Sequence, residues 1–206
     1  MHAISSPPHF RCLQRTALCA LCAALFGCAT PGTPTVGGNV QYGDAKAVEQ
    51  VTNEFGSTDL QTIAEAMARS LAQSASGYKT KPLVTIADVK NKTSEYIDTR
   101  SITDSIRTQL VKSGTMRFAT DIDGMQNQTD ELVRQNNSGL YKKSSSIKMG
   151  RMEGAKYRIE GNITSIVKRG GDVKDVYYKF SLIMTDTEAG TIEWADEKEI
   201  RKTSRR

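Results

Sequence analysis

Residues 157–195 read YRIEGNITSIVKRGGDVKDVYYKFSLIMTDTEAGTIEWA, and this run decides the fold. In its second segment Val176, Tyr178, Phe180, Leu182 and Met184 fall on alternate positions. In its first, Tyr157, Ile159, Ile163 and Val167 are interleaved with Arg158, Glu160, Asn162 and Thr164. A period of two sends successive side chains to opposite faces of a strand, so each segment has one apolar face and one wet face. Gly170-Gly171-Asp172 and residues 187–190 (TEAG) carry turn chemistry. The spacing predicts antiparallel strands over 157–167, 176–185 and 191–195, with Ile192 and Trp194 sharing a face. A sheet that is apolar on one side only needs a cover, and helices have to supply it.

Working outward, residues 58–75 supply the first cover. Leu60, Ile63, Ala64, Met67, Ala68 and Leu71 recur at 3–4 spacing, Thr58 with Gln61 fits a capping box, and Gly77 ends the element. Residues 98–113 form a second helix, with Ile102, Ile106 and Leu110 on one face and Gly114 as its stop. Between them Pro82 opens a strand over 83–89 dense enough in apolar residues for a central place. A short strand over 116–122 and weaker helices over 129–136 and 145–152 complete the reading. The expected fold is α+β, an α/β sandwich whose sheet is mixed but mainly antiparallel, with helices packed on it.

The amino-terminal part has a different character. Residues 1–27 hold Arg11 and Arg15, no acid, and an 11-residue apolar run at 16–26 (TALCALCAALF), the pattern of a secretory leader too short to span a bilayer. Leu25-Phe26-Gly27-Cys28 resembles the lipobox of bacterial lipoproteins, with a residue bulkier than usual at Phe26. That resemblance implies cleavage before Cys28 and acylation of its thiol and new amino group. Ala29 in place of Asp implies the inner leaflet of the outer membrane. Residues 28–45 then form a lipidated end and a flexible tether, 29–43 being rich in Pro, Gly and Thr, and 46–206 the globular domain. An ordinary leader or a membrane anchor is the alternative reading.

All four cysteines and both histidines fall within residues 1–28. Beyond the leader no imidazole remains and the single thiol is the acylation candidate. Ser-His-Asp and Cys-His catalysis, imidazole bases and Cys/His zinc sites are therefore excluded there. Ser-x-x-Lys occurs three times (Ser76/Lys79, Ser145/Lys148, Ser165/Lys168), but the only Lys-Ser-Gly, at 112–114, precedes two of them, the wrong order for penicillin-interacting serine enzymes. Asp121, Asp123 and Gly124 faintly match a calcium loop without its later ligands. Asp88, Asp98 and Asp186 could meet as a carboxylate group or serve as caps and turns. No phosphate-cradling glycine motif is present. The expectation is no catalysis, no cofactor, no metal and no small-molecule substrate.

The chain carries 28 basic and 23 acidic side chains, net +5. Basic residues gather at Lys142, Lys143, Lys148 and Arg151, at Lys168 and Arg169, and in the last six positions. Export argues against nucleic acid as the partner. Docking onto an acidic protein surface and a merely solvated face both remain open.

The runs FGSTDLQTIAEAMARSL (55–71), VTIADVKNKTSEYIDTRSITDSIRTQL (84–110), GNITSIVKRGGDVKDVYYKFSL (161–182) and TIEWADEKEIRKTS (191–204) resemble the LpoB family, over about residues 45–204. These are outer-membrane lipoproteins that activate a bifunctional class A penicillin-binding protein. The resemblance implies a domain similar to the amino-terminal domain of TolB, and an activator that binds the synthase's periplasmic regulatory domain. Lys168, Arg169, Gly170 and Gly171 are the expected docking residues, against a purely turn-solvating role. The family's enterobacterial members have a longer tether. The alternative is a non-catalytic assembly lipoprotein of the curli-export type, which shares the Asp-x-x-x-Gly-x-Ile-x-Trp run at 186–194. The long amphipathic strands of a pore are not visible in the sequence.

Overall fold

Alternation at period two builds the sheet. The computed structural model describes residues 43–49 and 52–205. β4 (Tyr157–Gly170), β5 (Val173–Asp186) and β6 (Ile192–Arg205) form an antiparallel meander of 14-residue strands, longer than the pattern suggested. Val176, Tyr178, Phe180, Leu182 and Met184 of β5 are all fully buried on one face. On β4, Ile159 and Ile163 sit beside Met184 and Phe180.

The remaining strands are short and parallel to their neighbours. β1 (Leu83–Ile86) lies between β4 and β3 (Arg117–Phe118), parallel to both, and β2 (Lys90–Lys92) also pairs in parallel with β4. The order is β3-β1-β4-β5-β6. The expected single strand over 83–89 is thus broken, although its interior position is as read. Ile86 faces Ile159 and Lys90 faces Asn162, so the first strand spends one residue more than β4 between these points. Without that extra residue Asp88, Lys90 and Lys92 would fall on the core side. With it, Val89 is buried and the charges face out.

Two helices cover the apolar face. α1 (Ser57–Ala75) buries Ile63, Ala64, Met67, Ala68 and Leu71, and α2 (Thr99–Ser113) buries Ile102, Ile106 and Leu110, in one cluster with the sheet residues. α2 ends at Gly114 with φ 68°, a left-handed stop, as its sequence predicts. α1 starts one residue earlier than read and without the expected box. Its N-cap is Gly56, whose amide donates to Asp59 at 2.9 Å, while the Thr58 hydroxyl accepts from the Glu49 amide at 2.8 Å. The Trp194 indole donates to the Ser70 hydroxyl at 3.1 Å, joining β6 to α1.

Two further expectations are corrected. The strand over 116–122 is only Arg117–Phe118, because Asp121 caps α3 (Ile122–Asn137) by accepting from the Gly124 amide at 2.8 Å. The helix over 145–152 does not form. A 3-10 turn, Lys143–Ser145, is followed by irregular chain with Gly150 at φ 73°. Ser144, Ser145 and Ser146 favour turns over helix, and no apolar stripe there is buried to compensate.

The chain divides into two units, Met1–Ala47 and Val48–Arg206. The described part of the first is a turn in which the Asp44 carboxylate accepts from the Lys46 amide at 2.9 Å. The leader, Cys28 and most of the expected tether lie outside the described residues. Among the described residues no helix is long and apolar enough to cross a membrane.

Candidate functional site

The residues singled out as a docking surface occupy the tip of the β4–β5 hairpin. Gly170 pairs with Val173, leaving a two-residue loop of Gly171 and Asp172. Gly171 has φ 57° and Asp172 does not enter the left-handed region, the pattern of a II′ turn with glycine first. The glycine lets the chain reverse tightly at the tip, beside the end of β6, which pairs with β5 as far as Val173.

Both cations stand without an ion pair among the described residues, for a specific reason. The residue across from Lys168 is Asp175. Its carboxylate is already held by Arg201, through Nε at 3.1 Å and Nη2 at 2.6 Å, and by the Thr203 hydroxyl at 3.0 Å. Arg201, then Thr203, and more weakly Lys168, hold the Asp175 carboxyl below its ordinary range. Arg169 faces Lys174, a like charge whose ammonium lies 3.9 Å from Glu54. Lys168, Arg169, Gly170 and Gly171 are all exposed. Such a tip can bind an anionic surface and has no chemistry of its own.

Below the tip, the sheet face away from the helices carries a band of paired side chains. The Tyr177 phenol donates to Glu199, which pushes it up to about 12, and Lys179 pairs with Glu197 at 2.9 Å. Ile166, across from Tyr177, is 57% exposed. In the sequence Arg201 stands out only as one of the basic residues in the last six positions. Its role as the clamp on Asp175 needs the register of β6, which the polar run 196–205 conceals.

Two of the three acids considered for catalysis serve structural ends. Asp98 caps α2, accepting from the Arg100 and Ser101 amides at 3.1 and 3.2 Å. Asp186 accepts from the Glu188 and Ala189 amides at 2.9 and 3.0 Å and pairs with Lys156 at 3.2 Å. Asp88 is exposed on the break between β1 and β2. Ser76 and Ser145, from two of the Ser-x-x-Lys hits, donate to the carbonyls of Gln73 and Lys142. Among the described residues no group of three or more His, Cys, Asp or Glu side chains is placed to hold a metal ion. The Asp-x-x-x-Gly-x-Ile-x-Trp run is a local device in which Asp186 closes the turn and Gly190 takes φ 70°. Ile192 and Trp194 do not share a face. Met184 pairs with Trp194 but Thr185 with Ile192, so a bulge at Glu193 turns Ile192 out to 62% exposure.

No curated protein matches the chain. Among solved structures, the LpoB C-terminal domain from Salmonella enterica is 15% identical with a TM-score of 0.43, over 69% of this chain and 98% of that one. The corresponding Escherichia coli domain is 14% identical with a TM-score of 0.41 and the same coverage. The solution structure of Escherichia coli LpoB is 15% identical with a TM-score of 0.36, over 86% of each chain. The family model described as peptidoglycan-synthase activator LpoB matches residues 59–200, from the first turn of α1 well into β6. With β4, β5 and α2 wholly inside that match, and most of α1 and β6 with them, the chain belongs to the LpoB family of peptidoglycan-synthase activators, regulators rather than catalysts.

Proposed function

We propose that this chain is an outer-membrane lipoprotein, acylated at Cys28, that binds and activates a bifunctional class A penicillin-binding protein. The family match over 59–200 carries the reading. Residues 28–45 serve as the arm, at most about 60 Å long when extended, and the domain supplies the contact. The target is the periplasmic regulatory domain of the synthase, and binding raises both glycosyltransferase and transpeptidase output.

Within the domain, the hairpin tip is the proposed contact. Lys168 and Arg169 are free of ion pairs among the described residues, and the glycines beside them leave room for a partner backbone, since nothing lies within 4 Å of a side chain built at Gly170 or Gly171. Exposed cations of this kind contribute more to encounter rate and orientation than to affinity.

The test is a binding and activity titration of Lys168→Glu/Arg169→Glu against the purified class A synthases. Both side chains are exposed, so the fold is retained. Binding is expected to weaken roughly tenfold, with a reduced salt dependence. Unchanged binding and activation would remove the tip from the interface. An intact mass showing an unmodified Cys28 in the mature protein would overturn the anchoring.

A further inference from the structure

A second surface, built from α3 and the irregular chain that follows it, is not accounted for by the tip. We propose that the groove between α3 and residues 147–152 is a docking site for an acidic amphipathic helix of a partner protein. The cavity is about 780 Å³ and mainly apolar, with Leu132 on the helix side and Ile147, Met149 and Met152 on the other. The last three are 48%, 55% and 51% exposed. Adaptable methionine side chains left half in solvent on a concave surface are a binding feature.

The groove is held in shape. The Asn136 amide donates to the Leu132 carbonyl at 2.9 Å and to the Ile147 carbonyl at 3.0 Å, and its oxygen accepts from the Ser146 hydroxyl. Arg134 lies over the Tyr141 ring at 5.4 Å, and an ion pair between Arg117 and Glu153 fastens the far end. It is also remote from the hairpin tip. Glu153 precedes β4, whereas Lys168 stands near its end, and 14 residues of strand extend about 40 Å.

Charge selects the occupant. Residues 132–152 contain five basic side chains and no acid. Lys142, Lys143, Lys148 and Arg151 form no ion pair among the described residues, while α3's own Glu131 is bound by Arg134 and Gln135. The chain's own first 43 residues have no acid to offer. A second copy joined by two-fold symmetry would bring one basic strip against another. A flat membrane cannot enter a groove with two walls. A helix with an apolar stripe at i, i+4 and i+7 and acidic flanks meets both requirements.

The test uses two labelled 18-residue helical peptides with the same leucine stripe, one filled with glutamate and one with lysine. The protein is the full chain carrying Cys28→Ser, so that no acyl group intervenes. The glutamate peptide is expected to bind and the lysine peptide not. Lys142→Glu/Lys143→Glu/Lys148→Glu/Arg151→Glu should invert that preference, and Ile147→Ser/Met149→Ser/Met152→Ser should weaken glutamate-peptide binding at least tenfold. All seven positions are exposed, and unchanged thermal unfolding confirms retained fold. Equal binding of the two peptides, or none, overturns the proposal. So does salt-sensitive binding of phosphatidylglycerol vesicles that the glutamate peptide does not displace, or self-association that the charge reversal abolishes. None of these readouts requires a synthase, so the proposal stands or falls apart from the proposed function.

Discussion

Gly161 sits inside β4, paired with Leu182 of β5, where the neighbouring strand leaves no room for a side chain. A Cβ built there lies 2.7 Å from Leu182 Cδ2 and 3.0 Å from Leu182 Cα, and nearer still to the Ser181 carbonyl oxygen. Two of these three neighbours are backbone atoms of the central strand β5, so a rotamer change does not relieve the clash. Overpacking of a core costs about 1–3 kcal/mol, and backbone involvement puts Gly161→Ala at the upper end. Restriction of the unfolded chain returns about 0.4–1 kcal/mol. The net expectation is destabilisation of about 2 kcal/mol. In a unit of this size that lowers the melting temperature by about 4–8 °C. Gly170→Ala is the control, because its φ is ordinary and nothing lies within 4 Å of the new methyl. It should be neutral or stabilising by about 0.4–1 kcal/mol. Thermal unfolding followed by circular dichroism reads both. If Gly161→Ala melts with or above the parent, the pairing of Gly161 with Leu182 is wrong and with it the placement of the hairpin.

Three further outcomes follow from the same packing. Tyr178→Phe removes a hydroxyl that donates to both Glu95 oxygens at 2.7 and 2.8 Å; with Glu95 half-buried and open to water, the loss should be about 1.5 kcal/mol. A variant as stable as the parent would deny that contact. Asp186 is held below the ordinary carboxylate range by the Ala189 amide first, then the Glu188 amide and Lys156, against burial. A depressed folded pKa gives stability that is present above the unfolded value and lost as pH falls through the folded one. Asp186→Ala should therefore melt below the parent at pH 7, with a gap that starts to narrow below about pH 4 and keeps narrowing as pH falls further; a gap that stays undiminished or widens on acidification contradicts the hydrogen-bonding scheme. Gly171→Ala forces a side chain into φ 57° and should cost about 1 kcal/mol, in contrast to its neighbour Gly170; equal melting temperatures for the two variants would refute the II′ turn.

The elements legible in the sequence are those where one local pattern agrees with one tertiary demand. The alternation of β5 is read because every second residue from Val176 to Met184 meets the helices. The stripes of α1 and α2 are read for the same reason. What escaped reading depends on partners far along the chain. β6 runs to Arg205 although 196–205 is polar apart from Ile200, because it is the edge strand and needs only Trp194 and Ile200 against the core. Its Lys202 points inward to Asp59 at 2.7 Å, a pairing across 143 residues that no local window reveals. One-residue bulges at 87–89 and at Glu193 each reverse which side chains face the core, and period counting passes over both. At the candidate site, the exposed cations at the tip were visible as a basic pair beside glycines. Their freedom from ion pairs was not, because it results from Arg201 taking Asp175.

The most direct test of the account adds the purified mature chain to the organism's class A penicillin-binding proteins and follows glycan-strand polymerisation, with a control lacking synthase. The account predicts that one synthase binds the chain and polymerises faster, and that the chain alone makes no product. No binding and no change in rate with any of the synthases, or product formed without one, would contradict it.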